Sequence, residues 1–150
     1  MIRGNIMNDG IIRQSLYLKN GHGLGLAVVE ISEGKVAFLP SQETDDLTLS
    51  LTQTILYDMR HDLLERPTTI QYGYLRKGTA LAPVKFEITR KRVLIYTPQT
   101  EKYDPTLPQT LQALEDLSGI MKEQKIPHET HLLKMDTGTR IDTIIIKLKT

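Results

Sequence analysis

Apolar positions along this chain follow two different periods, and the switches between them outline the elements. The runs 24–32 and 35–40 are apolar and β-branched, and they are joined by Glu33-Gly34. Glycine tolerates the positive φ of a tight turn, so the pair predicts a hairpin. Between 45 and 65, apolar side chains recur at every fourth position, which predicts a helix with one buried face. These positions are Leu47, Leu51, Ile55, Met59 and Leu63.

The same two periods continue to the C-terminus and predict the order βββα-βββα-ββ. Strands are expected at 11–18, 24–32, 35–40, 68–75, 81–89, 92–97, 129–135 and 141–149, and helices at about 45–65 and 105–125. Thr44 or Asp45 is expected to cap the first helix. Asp104 is expected to cap the second, with Pro105 at its first position, where a missing N–H costs nothing.

The chain also repeats itself. Residues 17–36 align with 74–93 at an offset of 57, and one inserted residue at about Leu94 moves the offset to 58. The alignment holds 15 identities in 43 pairs, whereas ordinary residue frequencies give about three by chance. Pro127, Gly138 and Thr139 add a weaker match to Pro67, Gly78 and Thr79. An internal repeat of this kind constrains the architecture directly.

We therefore predict a single α+β domain over 1–150, with repeats at about 11–66 and 68–126 and a partial third repeat at 127–150. Hairpins form antiparallel pairs, and antiparallel sheets commonly carry their helices on one face. The expected fold is a curved antiparallel sheet or a partly open barrel, with both helices on one face and a pseudo-twofold axis between the repeats.

Composition narrows the chemistry. The 150 residues include no cysteine, which excludes disulfides, thiolate catalysis and Cys-ligated zinc. No apolar run approaches the roughly 18 residues of a membrane span. Residues 1–9 are short and polar rather than an apolar leader, so a cytoplasmic protein without a membrane partner is the expectation.

Basic residues concentrate in the second repeat. Residues 1–66 carry a net charge of −3 and residues 67–150 a net charge of +4. Strands that alternate basic and aromatic groups suit single-stranded nucleic acid, because bases stack on rings while cations neutralise phosphates. The candidate nucleic-acid-binding residues are Tyr74, Arg76, Lys77, Lys85, Arg90, Lys91 and Arg92, among the further aromatic residues Tyr72, Phe86 and Tyr96.

Other motifs point to structure rather than to a reaction. The glycine-rich stretch 21–25 leads into a strand instead of a helix, so it is read as a bulge or a close strand crossing rather than a phosphate loop. His128 and His131 are three residues apart at a helix-to-strand boundary, which does not fit a metal site. None of the five serines lies in a nucleophile-elbow motif. No catalytic residue, metal site or cofactor is predicted.

Three functions remain open. The first is a non-enzymatic binding or regulatory module whose groove between the repeats takes a small ligand or a partner protein, with the contact residues unknown. The second is a single-stranded nucleic-acid-binding protein that uses the basic strands and hairpin at 74–92. The third is a metal-free enzyme, which the lack of paired catalytic groups disfavours. A homodimer is also open, since an unclosed sheet leaves edge strands to cover.

Overall fold

The computed structural model describes residues 10–21, 23–43, 46–98 and 105–149, with the side chains of 46 and 47 excepted. This part of the chain holds eight strands and two helices. In chain order they are β1 (Ile12–Asn20), β2 (Gly23–Ser32), β3 (Lys35–Pro40), α1 (Asp46–Glu65), β4 (Thr68–Lys77), β5 (Ala80–Thr89), β6 (Arg92–Tyr96), α2 (Leu107–Glu123), β7 (Glu129–Met135) and β8 (Gly138–Lys147).

All eight strands form one open antiparallel sheet in the order β3-β2-β1-β4-β5-β6-β8-β7. The α+β class and the order of elements are confirmed. The predicted start of α2 was wrong: α2 begins at Leu107 after Thr106, so Pro105 precedes the helix and Pro108 takes the proline position of the first turn. The predicted caps Thr44, Asp45 and Asp104 lie outside the described residues.

The sheet curls strongly. Phe38 of β3 meets Phe86 of β5 edge to face, with ring centroids 5.2 Å apart, although three strands separate β3 from β5 in the sheet. The chain that leaves β8 also reaches back to the β2–β3 turn, where the Lys149 amide donates to the Gly34 carbonyl at 2.9 Å. The sheet therefore wraps its inner face around the core without closing by a continuous strand ladder.

Both helices pack on the inner face. Alternate residues of the strands point into one hydrophobic cluster that includes helix side chains such as Ile55 and Met59 of α1 and Leu114 and Met121 of α2. Burial of this shared apolar surface is the main stabilising term of the fold. Because one cluster contains side chains from both units, the two units share a core.

The two predicted repeats have the same strand register. Ile12 lies opposite Ile31 in the first unit, and the positions 57 residues later, Thr69 and Ile88, lie opposite each other in the second. The residue pairs between β2 and β3 likewise match the pairs between β5 and β6 at an offset of 57. This offset still holds at Tyr96, which is the equivalent of Leu39. The inserted residue therefore falls after Tyr96 rather than at Leu94.

Each helix is tied to its own unit by an equivalent threonine. Thr52 Oγ1 of α1 lies 2.8 Å from the Thr48 carbonyl and 3.3 Å from the Leu26 carbonyl of β2, and its single hydroxyl hydrogen is shared between these two acceptors. Thr110 Oγ1 of α2 donates to the Pro83 carbonyl of β5 at 2.7 Å. Leu26 and Pro83 are 57 residues apart, and the two threonines are an aligned identity. An internal duplication requires such paired contacts; the duplication itself and the partial third repeat stay predictions.

The units join through β1 and β4, where Tyr17 lies directly opposite Tyr74. These two tyrosines are equivalent positions of the repeat, separated by 57 residues. A residue that pairs with its own equivalent lies on the twofold axis relating the two units. The predicted pseudo-twofold axis would therefore pass between Tyr17 and Tyr74.

Neither helix in the described ranges has an apolar stretch long enough to cross a lipid bilayer.

A charged pair fixes α2 to the hairpin that follows it. Arg140 donates to both oxygens of Glu115, Nε to Oε2 at 2.6 Å and Nη2 to Oε1 at 3.0 Å. The Ile141 amide approaches the same carboxylate at 3.4 Å. The hydrogen bond from Arg140 is the main cause that holds the pKa of Glu115 below its usual range. Such bidentate pairing is stronger than an ordinary surface ion pair.

We expect Glu115→Gln to lower the free energy of unfolding at pH 7 by about 1 kcal/mol. Because the folded pKa of Glu115 is depressed, its contribution is complete above the unfolded pKa of about 4.3 and is lost as the pH falls through the folded pKa. The gap between wild type and variant should therefore shrink towards pH 3, as measured by urea unfolding at both pH values. Glu123→Gln, at an exposed position of the same helix, is the matched control; an equal loss there would contradict the assignment.

Candidate functional site

The outer face of the sheet carries side chains that point away from both helices. In β2, β4, β5 and β6 every second residue stays partly or fully exposed, while most of the residues between them are buried in the core. Ile70 and Tyr72 are each nearly half exposed. We call this surface the open face and define it by Tyr17, Leu26, Ile70, Tyr72, Tyr74, Arg76, Pro83, Lys85, Glu87, Leu94 and Tyr96.

A lysine between two tyrosines marks one part of the open face. Tyr72, Lys85 and Tyr96 are consecutive partners across β4, β5 and β6. The Lys85 ammonium lies 5.0 Å from the centroid of the Tyr72 ring and 5.8 Å from that of Tyr96. Lys85 makes no ion pair with any residue of the described ranges. Its ammonium group instead interacts with the two rings through cation–π contacts.

Partial burial raises the pKa of the Tyr96 hydroxyl, an effect that the nearby charge of Lys85 opposes. The hydroxyl therefore stays protonated at neutral pH and can donate a hydrogen bond. Together the three side chains present two aromatic rings, one cation and a phenolic donor at the surface.

A second cation lies over a ring at the axis. Tyr17 and Tyr74 form a row with Leu26 and Pro83 across β2, β1, β4 and β5. The Arg76 guanidinium carbon lies 5.6 Å from the Tyr17 centroid. Arg76 Nη1 also donates to Ser15 Oγ at 3.0 Å and to Glu43 Oε2 at 3.2 Å. These contacts hold Arg76 against the face and partly neutralise its charge.

The structure brings together three of the seven nucleic-acid candidates, Tyr74, Arg76 and Lys85, on the open face. Lys77 turns to the inner side, where its ammonium lies 3.3 Å from the carboxylate of Asp116. Hydrogen bonding from Gln112, and then Lys77, lowers the pKa of that carboxyl.

The other three candidates belong to the β5–β6 turn. Arg90 Nη2 donates to the Leu63 carbonyl at 3.3 Å, near the C-terminus of α1. Thr89 Oγ1 accepts the amides of Lys91 and Arg92 at 3.1 and 3.0 Å, and both basic side chains are exposed. Arg92 lies opposite Lys147, at the far end of the sheet from Arg76. The β5–β6 turn is therefore a separate basic surface and does not extend the open face.

Two aromatic residues were placed wrongly or overlooked by the sequence reasoning. Phe86 was grouped with the basic strand residues, but it is fully buried in the core. Tyr17 was not a candidate, although it contributes a ring beneath Arg76. The strand period separates Phe86 from Lys85, and the 57-residue offset identifies Tyr17 as the equivalent of Tyr74, so both signals were present in the sequence.

The glycine-rich stretch leads to a close helix contact. A Cβ built on Gly25 would lie 2.6 Å from Thr52 Oγ1 and 2.9 Å from Thr52 Cα of α1. Gly25 pairs regularly with Leu18, so no bulge occurs at this residue. The close crossing is made by a helix rather than by a strand, and His22 lies outside the described residues.

His128 takes part in a partly buried hydrogen-bond pair. Its Nε2 lies 2.7 Å from Ser118 Oγ and its Nδ1 lies 2.9 Å from the Ile126 carbonyl. The carbonyl fixes Nδ1 as the donor, so Nε2 accepts from Ser118. A serine beside a histidine resembles a nucleophile and its base, but Ser118 is only 1% exposed and cannot reach a substrate. The pair fastens α2 to the loop that follows.

His131 does not join His128. It pairs with Thr143 at the β7 edge of the sheet, beyond the strand start that holds Glu129. Within the described ranges, no group of three or more His, Asp or Glu side chains is placed to hold a metal ion.

The units also meet at the gap left by the curled sheet. A cavity of about 410 Å³ lies there, between β3 and α1 of the first unit and the β5–β6 hairpin of the second. We call it the seam cavity. Its lining consists of Val36, Ala37, Phe38, Leu39, Leu56, Met59, Arg60, Leu63, Ile88, Thr89, Arg90, Val93 and Leu148.

Among the described residues, the open face combines aromatic rings with cations, and the seam cavity combines an apolar lining with two arginines. No protein-family model, curated protein or solved structure matches this chain.

Proposed function

We propose that this protein binds single-stranded nucleic acid on the open face of its sheet. The observation that carries the proposal is the Lys85 ammonium, which lies between the exposed ring of Tyr72 and the partly buried ring of Tyr96. Rings on a sheet surface stack with unpaired bases of any sequence, and each such contact is worth about 1–3 kcal/mol. A neighbouring cation neutralises the phosphates that link those bases.

The layout of the face suits a strand better than a duplex. The row Leu26–Tyr17–Tyr74–Pro83 and the row Tyr72–Lys85–Tyr96 run across adjacent strands of one curved surface. A duplex keeps the faces of its bases stacked inside, so it would offer the tyrosine rings no base face to stack on. A single strand offers both parts, bases to the tyrosines and phosphates to Lys85 and Arg76. We therefore expect little sequence preference and a strong preference for unpaired strands.

The proposal is tested by fluorescence anisotropy with labelled dT15 and a 15-base-pair duplex of mixed sequence, at 50 to 400 mM NaCl. We expect dT15 to bind more tightly than the duplex, with a log–log salt slope of about −1.4, since the two cations Lys85 and Arg76 contribute about −0.7 each. Equal affinity for dT15 and the duplex would contradict base stacking on the open face, because charge attraction alone would then explain the binding. Absence of dT15 binding at 50 mM NaCl would refute the proposal.

A further inference from the structure

The seam cavity is apolar inside. Phe38 and Leu63 are partly buried there, and Leu56, Met59 and Ile88 are core residues that also line the cavity wall. No acidic side chain is among its lining residues. Its volume of about 410 Å³ falls within the range of small-molecule sites, about 300–1,000 Å³, and is too small for a folded partner.

Two arginines line the same cavity. Arg60 of α1 is exposed and makes no hydrogen bond or ion pair with the residues that the structure describes. Arg90 uses one nitrogen to hold the Leu63 carbonyl, which positions its guanidinium while leaving its other N–H donors free of partners in the described ranges. A carboxylate is the natural partner of such donors, because guanidinium forms paired, charge-assisted hydrogen bonds with it.

The surroundings of Arg90 extend the positive charge. A shallower depression shares Thr89 and Arg90 with the seam cavity and is also lined by Arg66, Lys91 and Arg92. Glu65 is the only acid among its lining residues. An anion at Arg90 would therefore lie in an environment of predominantly positive charge. The apolar seam cavity lies directly beside Arg90.

We propose that the seam cavity binds a small amphipathic carboxylate, with its apolar body against Phe38, Leu56 and Met59 and its carboxylate at Arg60 and Arg90. The site lies between the two units, at the gap in the curled sheet. It is separate from the open face, because none of its lining residues belongs to that face as defined above. The occupant is a small molecule, whose apolar part is enclosed and whose charge is paired.

The test is isothermal titration calorimetry with sodium decanoate, sodium octanoate and decanol. Each buried CH₂ contributes about 0.8 kcal/mol, so octanoate should bind about tenfold more weakly than decanoate. Decanol should bind more weakly than decanoate because it cannot pair with the guanidinium groups. The variant Arg60→Gln/Arg90→Gln should lose about tenfold in decanoate affinity and leave decanol affinity unchanged.

Lys122→Gln, which removes one positive charge from an exposed position on α2, is the control and should bind decanoate as wild type does. The Arg60 and Arg90 side chains are exposed, so the double variant is expected to fold, which its circular dichroism spectrum checks. Failure of wild type to bind decanoate at millimolar concentration would overturn the proposal. So would decanoate binding that the double variant leaves intact, because the carboxylate would then lie elsewhere.

Discussion

Replacing Tyr72 and Tyr96 together by alanine is expected to weaken dT15 binding about 100-fold. Each ring supplies about 1–3 kcal/mol when a base stacks on it, and the two rings lie on either side of Lys85 in one row across the sheet. Both side chains point away from the core, so the variant should keep its fold. Anisotropy titrations at fixed salt measure the change.

Tyr57 and Lys77 supply matched controls for the ring and the cation of the open face. Tyr57 is about two-thirds exposed on α1 and stacks only on His61, so Tyr57→Ala should leave dT15 affinity unchanged. Lys85→Gln should make the salt slope shallower by about 0.7, because one phosphate contact is lost. Lys77→Gln removes the same charge from the neighbouring strand but from the side that faces Asp116, and should leave the slope unchanged.

These variants separate the proposed surface from general attraction to a basic protein. If Lys77→Gln and Lys85→Gln reduced the slope equally, position on the open face would have no role. If the double tyrosine variant bound dT15 within threefold of wild type, stacking on these rings would be excluded. Neither result would affect the seam cavity, whose lining contains none of these four residues.

The order of elements was predictable because each depends on a local pattern. Strands β3 and β7 were predicted with the bounds that the structure shows, and the others differ at their ends by one to three residues. The glycine at 34 supplies the positive φ expected of the β2–β3 turn, at 71°. Helix starts were harder, since Pro105 and Pro108 both fit a first turn and only the packed structure decides between them.

The candidate site was predictable only in part, because proximity in sequence does not separate the two faces of a strand. Arg76 and Lys77 are neighbours in the chain, yet one lies over the Tyr17 ring and the other pairs with Asp116 of α2. Phe86 and Lys85 are divided in the same way. Side chains alternate between the two faces of a strand. Applying this two-residue period to the basic and aromatic residues would have removed Lys77 and Phe86 from the candidate surface.

The seam cavity lay beyond sequence reasoning for a different reason. A groove between the repeats was expected, but its location depends on how far the sheet curls, which is a property of the whole fold. The hydrogen-bonded strands β1 and β4 occupy the position of the predicted axis, with Leu16 opposite Leu75 on the buried side. The opening instead lies where β3 approaches the β5–β6 hairpin, and no local pattern specifies that approach.

The close contact between α1 and β2 predicts a large loss of stability when Gly25 is replaced. Gly25→Ala is expected to lower the free energy of unfolding by about 2–3 kcal/mol, because the added methyl group would meet Thr52 Cα as well as its hydroxyl. A backbone atom cannot rotate away, so α1 would have to move and stretch the Thr52 bond to Leu26. Ala82 is the equivalent residue of the second unit and is buried, so only the first unit requires glycine here.

Gly119→Ala is the control, and it is expected to change stability in the opposite direction. Gly119 lies inside α2, and a Cβ built there meets no atom within 4 Å. Alanine in a helix interior is favoured over glycine by about 0.5–1 kcal/mol, so this variant should be more stable than wild type. Urea unfolding followed at 222 nm measures both variants under the same conditions. Equal stability of Gly25→Ala and wild type would show that α1 does not approach β2 closely, and the packing of the first unit would need revision.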